Sequence, residues 1–216
     1  MPAVRDADDF RPRSVQRLER ERLAQQAALD AAKSLAERNR MGQFATPPAL
    51  ADQVVQAAIA ALPADAPLRF LDPAFGTGAF YSALLRGFAS RVESATAFEI
   101  DEHYGRPAQS LWASTGLSLH LADFTAAPPR SLGESGPVAI AASGPPSDER
   151  KFNLVVCNPP YVRHHHLSAD QKRRLRSEVV ARTGVSLHGL AGLYCHFLLL
   201  SQAWMAADGI GAWLIP

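Results

Sequence analysis

Asn158-Pro159-Pro160-Tyr161 is the run of residues best equipped for chemistry in this 216-residue chain. The Asn158 side chain ends in a carbonyl acceptor, and consecutive prolines hold the Pro159 backbone carbonyl rigidly. Two acceptors so placed suit an amine whose lone pair is delocalised. Drawing on both of its N–H hydrogens, they favour a more tetrahedral nitrogen with an available lone pair. This is catalysis by positioning and electrostatics, without a covalent intermediate or a strong base. Tyr161 adds an aromatic face on which a flat ring can stack. A rigid turn after a buried strand is the plain structural alternative for the same residues.

Other candidates follow short apolar stretches. Leu68-Arg69-Phe70-Leu71 reads as a strand and runs into Asp72-Pro73-Ala74-Phe75-Gly76-Thr77-Gly78, after which Ala79 to Ser90 has helical periodicity. Gly76 and Gly78 let the backbone pass close to a ligand where a helix begins and its N–H groups are unpaired. The turn lacks the Gly-x-Gly-x-x-Gly pattern of dinucleotide oxidoreductases and the Lys-Ser/Thr pair of a P-loop. Ala95 to Ile100 reads as a second strand, with Glu99 placed to accept hydrogen bonds from ribose hydroxyls. Leu117 to Leu121 is a third. Asp123 after it can accept from an adenine amino group, with Phe124 and Ile100 sandwiching the ring. Helix capping by Asp123 and core packing of Ile100 and Phe124 are the alternatives.

Positioning these residues requires a sheet. Phe152 to Cys157 reads as a fourth strand, followed by an apolar helix from about Leu190 to Ala207. A turn at Gly209-Ile210-Gly211 then leads into a fifth strand, Ala212 to Ile215. Strand and helix alternating at this spacing predict an α/β fold with a doubly wound, mostly parallel sheet. Asp72, Glu99, Asp123 and Asn158 all fall at strand ends, where such sheets bind ligands, so one cleft should collect them. Asp101 is a plausible N-cap for a helix that Pro107 breaks or delays. Residues 125–150 are punctuated by Pro and Gly and read as a surface connection, with a short strand at Val138 to Ala141. Pro12 to Arg40 reads as one helix whose apolar stripe of Val15, Leu18, Leu29 and Ala36 is ragged. A solvated helix packing loosely on the domain is preferred over a dimerisation or DNA-contacting arm.

The bulk properties narrow the class. A formal net charge of +1 argues against a small protein that coats nucleic acid by charge alone and leaves room for a local basic face. Arg163, His164, His165, His166, Lys172, Arg173, Arg174, Arg176 and Arg182 follow the Asn-Pro-Pro-Tyr turn. They could contact phosphates or form one charged face of a solvated helix. The histidine triplet has no carboxylate or cysteine to complete a site, so no metal is expected. Cys157 and Cys195 sit in apolar contexts and read as buried thiols. No apolar run approaches a membrane span and the N-terminus is charged rather than signal-like, so a cytoplasmic protein is expected.

Five ordered segments carry a family resemblance. Gly42-Gln43-Phe44-Ala45-Thr46-Pro47-Pro48, Leu71 to Gly78, Phe98-Glu99-Ile100-Asp101, Ala122-Asp123-Phe124 and Asn158 to Tyr161 resemble the motifs of adenine-N6 DNA methyltransferases. The order, with cofactor motifs before the catalytic one, resembles the gamma class typified by the TaqI enzyme. The Gly42 to Pro47 opening and the Tyr161-Val162-Arg163-His164-His165-His166 continuation look closest to the PstI/BsuBI-like restriction–modification methylases. The resemblance covers residues 41–216, leaving 1–40 as an N-terminal helical extension.

The resemblance implies a Rossmann-like methyltransferase that uses S-adenosylmethionine. It implies that Phe44, Thr46 and Pro47 close over the methionine end of the cofactor, and that Asp72, Pro73, Ala74, Gly76 and Gly78 hold the amino acid moiety. Glu99 would bind the ribose, and Ile100, Asp123 and Phe124 the adenine, with Phe197 lining that pocket. The substrate would be an adenine extruded from duplex DNA, since its amine is out of reach inside the stack. It would stack on Tyr161, with Asn158 and Pro159 accepting from the amine. A cognate restriction endonuclease or a separate recognition subunit is an implied partner, and the nucleoid an implied place of work.

Methylases acting on RNA or on a protein glutamine share the Asn-Pro-Pro-Tyr turn, and a non-catalytic cofactor-binding fragment is the third reading. The segments 44–47 and 72–78 favour adenine in DNA. The chain stops in or just after the fifth strand, where the family continues through further strands to a target-recognition domain. A truncated catalytic domain is therefore expected, with an exposed sheet edge and no sequence-specific DNA binding.

Overall fold

The computed structural model describes residues 12–129 and 151–215. A five-stranded sheet forms its centre: β1 (Leu68–Asp72), β2 (Val92–Glu99), β3 (Leu117–Leu121), β4 (Phe152–Cys157) and β5 (Met205–Trp213). The spatial order is β3-β2-β1-β4-β5, and every neighbouring pair is parallel. The order reverses between β1 and β4, which is where such a sheet opens a ligand crevice at its carboxyl edge. The expected α/β doubly wound fold is present, and its described strands are all parallel rather than mostly so.

Helices cover both faces. They are α1 (Pro12–Ala31), α2 (Leu35–Met41), α3 (Pro48–Ala60), α4 (Ala79–Phe88), α5 (Glu102–Trp112), α6 (Ala169–Thr183) and α7 (Leu193–Gln202). One apolar cluster joins α1, α3, α4 and α5 to the sheet through Val15, Val55, Leu84, Trp112 and Leu154. On the other face, Phe98, Phe124, Phe152, Phe197 and Trp204 form an aromatic cluster with Leu71 and Val155. Residues with continuous burial, such as the whole of β4, follow from a sheet covered on both sides.

Several boundaries differ from the sequence reading. The single helix expected over Pro12 to Arg40 is two, because Ser34 caps α2 in a capping box with Glu37. Nor is α1 loosely packed: Val15 and Leu18 are buried, and so are Glu19 and Arg22. The helix placed at Leu190 to Ala207 spans only Leu193–Gln202. The strand placed at Ala212 to Ile215 begins at Met205, so Gly209, Ile210 and Gly211 lie within β5.

The glycines there mark an irregularity in the ladder rather than a turn. The pairing jumps from Phe152 with Met205 to Leu154 with Ile210. A Cβ on Gly209 would lie 3.0 Å from the Ala206 carbonyl oxygen and 3.1 Å from that of Phe152. Asp101 does cap α5 through the His103 N–H, and the helix continues through Pro107. The strand proposed at Val138 to Ala141 lies outside the described residues.

Candidate functional site

Above the carboxyl edge lies a cleft of about 450 Å3, within the usual range for small-molecule sites. Its walls include Phe44, Gly76, Glu99, Ile100, Asp123 and Asn158. A smaller cavity adjoins it, lined by Asp72, Gly76, Thr77, Thr46 and again Phe44 and Asn158. The sheet thus gathers the expected residues at two connected places: Glu99, Asp123 and Asn158 line the larger cavity, and Asp72 the smaller.

The glycine turn is held from several sides. Gly76 and Gly78 have φ of 57° and 91°, in the region that side chains avoid. A Cβ on Gly78 would lie 2.5 Å from the Phe75 ring and 2.8 Å from the Trp112 indole nitrogen, whereas Gly76 faces open space. The Gly76 N–H donates to Glu99 at 2.7 Å, and the Asp101 N–H donates to the other Glu99 oxygen at 2.8 Å. Burial pushes the Glu99 carboxyl up, against these two hydrogen bonds. Asp72 is fully buried at the end of β1 and accepts from the Ala74 N–H at 3.1 Å. Burial, reinforced by Glu99, pushes its carboxyl up to about 8.

Asp123 serves first as a cap. One oxygen accepts from the Thr125 N–H and hydroxyl, at 2.9 and 2.6 Å, and the other from Arg174 of α6 at 2.9 Å. Phe124 is buried within the aromatic cluster, with ring centroids 5.4 Å from Phe98 and 5.6 Å from Phe197, and all three rings line the cleft. Ile100 is exposed on the cleft wall.

Asn158 follows β4, and its amide orientation is fixed by its partners. The Nδ2 group donates to the Phe44 carbonyl and to the Thr46 hydroxyl, both at 3.1 Å. A backbone carbonyl only accepts, so the side-chain nitrogen must face it. The Oδ1 atom points elsewhere, is shielded from solvent and has no hydrogen-bond partner among the described residues. An orphaned buried carbonyl is costly and marks a place where a donor is missing. Segment 42–46 crosses over this turn. Gly42 accepts from the Tyr161 N–H at 3.3 Å, and the Phe44 and Tyr161 rings lie 5.7 Å apart, tilted by 30°. Gly42 has φ of 65°, and a Cβ there would sit 2.4 Å from the Tyr161 nitrogen, so only glycine allows this approach. Pro47 caps α3, and Pro73 and Ala74 line the cleft between Asp72 and Gly76.

Wall residues not singled out from the sequence include Gln26 and Asp30 of α1, and Arg174, read there as a basic-segment cation, is the partner of Asp123. Among the described residues, no group of three or more His, Cys, Asp or Glu side chains could hold a metal ion. His164, His165 and His166 form one 3-10 turn. No described helix is long and apolar enough to cross a membrane.

Comparison with known proteins gives this arrangement a context. No family model matches the chain. It is 30% identical over 156 residues to the type II methyltransferase M.XamI of Xanthomonas campestris pv. amaranthicola, covering 68% of the chain and 25% of that relative. It is 28% identical over 148 residues to the type II methyltransferase M.AccI of Acinetobacter calcoaceticus, covering 68% of the chain and 23% of that relative. The chain is similar to type II methyltransferases. It spans about a quarter of the length of these two relatives.

Solved structures agree on the fold. The type IIG restriction endonuclease BpuSI superposes with a TM-score of 0.56 at 16% identity, over 78% of this chain and 19% of the other. The type I restriction–modification methyltransferase subunit from Streptococcus thermophilus does so with a TM-score of 0.53 at 17% identity, over 80% and 34%. The fold is therefore the Rossmann-like fold of S-adenosylmethionine-dependent methyltransferases.

Proposed function

We propose that this chain is the cofactor-binding and catalytic portion of a restriction–modification DNA methyltransferase that methylates the N6 amine of adenine. The observation that carries the reading is Asn158. Its Nδ2 is anchored by Phe44 and Thr46 while its Oδ1 stays buried and unpaired beside the cleft. An incoming amine hydrogen is the donor this atom lacks.

The residues fit S-adenosylmethionine. The glycine turn, with open space over Gly76, and the buried Glu99 share the cleft with the Phe98, Phe124 and Phe197 rings, and the buried Asp72 lines the adjoining cavity. When bound, this cofactor supplies a methyl group on a positively charged sulfur. In the proposal Asp72 and the turn through Pro73, Ala74, Gly76 and Gly78 hold its amino acid end. Glu99 accepts from the ribose hydroxyls, and Asp123, Ile100, Phe124 and Phe197 surround its adenine. Phe44, Thr46 and Pro47 close over the methionine end.

The target adenine, extruded from the duplex, stacks on Tyr161. Asn158 Oδ1 and the Pro159 carbonyl accept its two amine hydrogens and concentrate the lone pair on N6. The proton lost after transfer passes to water, with no strong base required. Acting on DNA, the protein works in the cytoplasm at the nucleoid, with a restriction endonuclease or a recognition subunit as partner.

Mass spectrometry of duplex DNA incubated with the chain and labelled S-adenosylmethionine tests this reading. N6-methyladenine appears with the parent and is absent with Asn158→Ala. Label in cytosine, in RNA or in a protein glutamine would replace the adenine assignment. No label in any of them would leave the chain a cofactor-binding piece.

A further inference from the structure

Helix α1 carries polar residues into the cofactor turn. Arg22, Gln26 and Asp30 follow one another at four-residue spacing, continuing the face that buries Val15 and Leu18. Arg22 is itself buried, ion-paired with Glu19 at 2.7 Å, and reaches the Thr77 hydroxyl at 3.3 Å. The Thr77 hydroxyl donates to Gln26 Oε1 at 2.6 Å. The Gln26 Nε2 group donates to Asp30 at 2.9 Å, and because a carboxylate only accepts, this bond fixes which way the amide faces. Asp30 is held in turn by the Tyr104 hydroxyl at 2.8 Å and by Arg38 at 3.3 Å.

An amide nitrogen has two hydrogens, and among the described residues only one is used. Gln26 also stands at the junction of the two cavities, lining both the cleft and the smaller space beside Asp72, Thr46 and Gly76. Gln26 therefore lines the end of the site that the proposed function gives to the amino acid moiety. That moiety carries a carboxylate, which needs donors. Asp72 and Glu99 already accept from backbone N–H groups, whereas Gln26 Nε2 is an amide donor at this end.

We infer that Gln26 is a cofactor-binding residue that donates a hydrogen bond to the α-carboxylate of the methionine moiety, with Asp30 as the positioning residue that orients its amide. The inference rests on the cofactor reading above. It makes α1 a wall of the site rather than an appendage to it, and it assigns Thr77 the task of linking that wall to the glycine turn.

Calorimetric titration of the full chain with two ligands tests it. S-adenosylhomocysteine has the carboxylate; 5′-methylthioadenosine keeps the adenosine and the sulfur but lacks the whole amino acid. Gln26→Leu is expected to weaken S-adenosylhomocysteine about tenfold and to leave 5′-methylthioadenosine unchanged, since a hydrogen bond to a charged group contributes on that scale. Gln26→Glu, which sets an anion against the carboxylate, is expected to weaken the first ligand further and again spare the second. Asp30→Asn should give the same pattern to a smaller extent.

Thermal unfolding of each variant accompanies the titrations. Equal losses for both ligands would mean that Gln26 only supports the fold of the turn, and would overturn the inference. So would unchanged binding of S-adenosylhomocysteine. Either result leaves the cofactor reading standing, whereas a parent chain that binds neither ligand removes both.

Discussion

Asp72 and Glu99, at the carboxyl ends of neighbouring strands, are both buried, and their charges oppose each other across the glycine turn. Among the described residues, each has backbone N–H partners but no cation among its hydrogen bonds. Burial with so little compensation holds the Asp72 carboxyl at about 8, against an ordinary value of 3.8. A site arranged in this way is electrostatically incomplete, and a ligand with positive charge would relieve it.

The stability consequence has a definite sign. Between the ordinary value and about 8, folded Asp72 keeps its proton while the unfolded chain has lost it. Stability from this group is therefore full at acid pH and declines as pH rises towards 8. Asp72→Asn should melt with the parent near pH 4 and above it near pH 8. Each kcal/mol of difference corresponds to roughly 2 to 4 °C for a domain of this size. Melting curves collected from pH 4 to 9 check this. A gap between parent and variant that does not widen with pH would contradict it.

Asn158 separates binding from chemistry. Asn158→Asp keeps an acceptor on the cleft side but loses the amide donor and sets an anion against the Phe44 carbonyl, while the Thr46 hydroxyl can turn to donate. Asn158→Ala loses acceptor and donors together. Both should lower kcat by about 100-fold or more, the scale of removing one preorganised partner of a reacting group. Because segment 44–46 is also released, the KM for S-adenosylmethionine should rise only a few-fold. Steady-state kinetics with each substrate varied in turn separate the effects. A large rise in KM with kcat intact would make Asn158 a closure residue only.

The sequence made the sheet legible because strand, turn and helix alternate cleanly around Asp72, Glu99 and Asp123, each at a strand end. The Asn158 turn stood out for the same reason. What stayed hidden depended on partners distant in the chain. The ragged stripe of α1 is ragged because Glu19, Arg22, Gln26 and Asp30 continue a face begun by Val15 and Leu18, and polar residues do not register in an apolar pattern. Spacing of three and four along that face was the available signal. Nothing local distinguishes Asp123 as a cap from Asp123 as the partner of Arg174, 51 residues away. Gly209 and Gly211 read as a turn because glycine inside a strand is rarer than glycine in a loop, while here β5 bulges past β4.

The buried Arg22–Glu19 pair lies within α1 and joins it to the domain through Thr77 and Ser82, and its energetics can be tested apart from any activity. Burial alone would raise the Glu19 carboxyl, but hydrogen bonds from Arg22 and Ser82 hold it below the ordinary range. Its contribution is thus present above the ordinary carboxylate range and lost as pH falls through the lowered value. Arg22→Met leaves a buried acid without its main partner and should cost about 3 to 5 kcal/mol at pH 7. Arg22→Met with Glu19→Gln should recover much of that loss. Denaturant unfolding of the two single variants and the double variant measures the coupling, and simple additivity would show that the pair acts independently.

Helix α6 presents Arg173 and Arg176 away from its packing face. Leu175 and Val179 are buried, whereas Arg173 and Arg176 are exposed. The helix follows the Asn158 turn closely in sequence, and Leu175 and Arg174 line the cleft, so the outer cations lie near where an extruded base would enter. The ion pair of Arg173 with Asp170 is fully on the surface and contributes little to stability. Replacing Arg173 and Arg176 together with Ala should therefore leave thermal unfolding and S-adenosylhomocysteine binding unchanged. Affinity for a duplex of arbitrary sequence should fall, and every phosphate that is no longer neutralised should reduce the slope of log affinity against log salt by about 0.9. Fluorescence anisotropy between 50 and 200 mM salt, a range over which several neutralised phosphates change affinity by orders of magnitude, gives both quantities at once. A slope that stays at the parent value in the double variant would place the DNA elsewhere on the molecule and leave α6 as a solvated cover for the aromatic cluster.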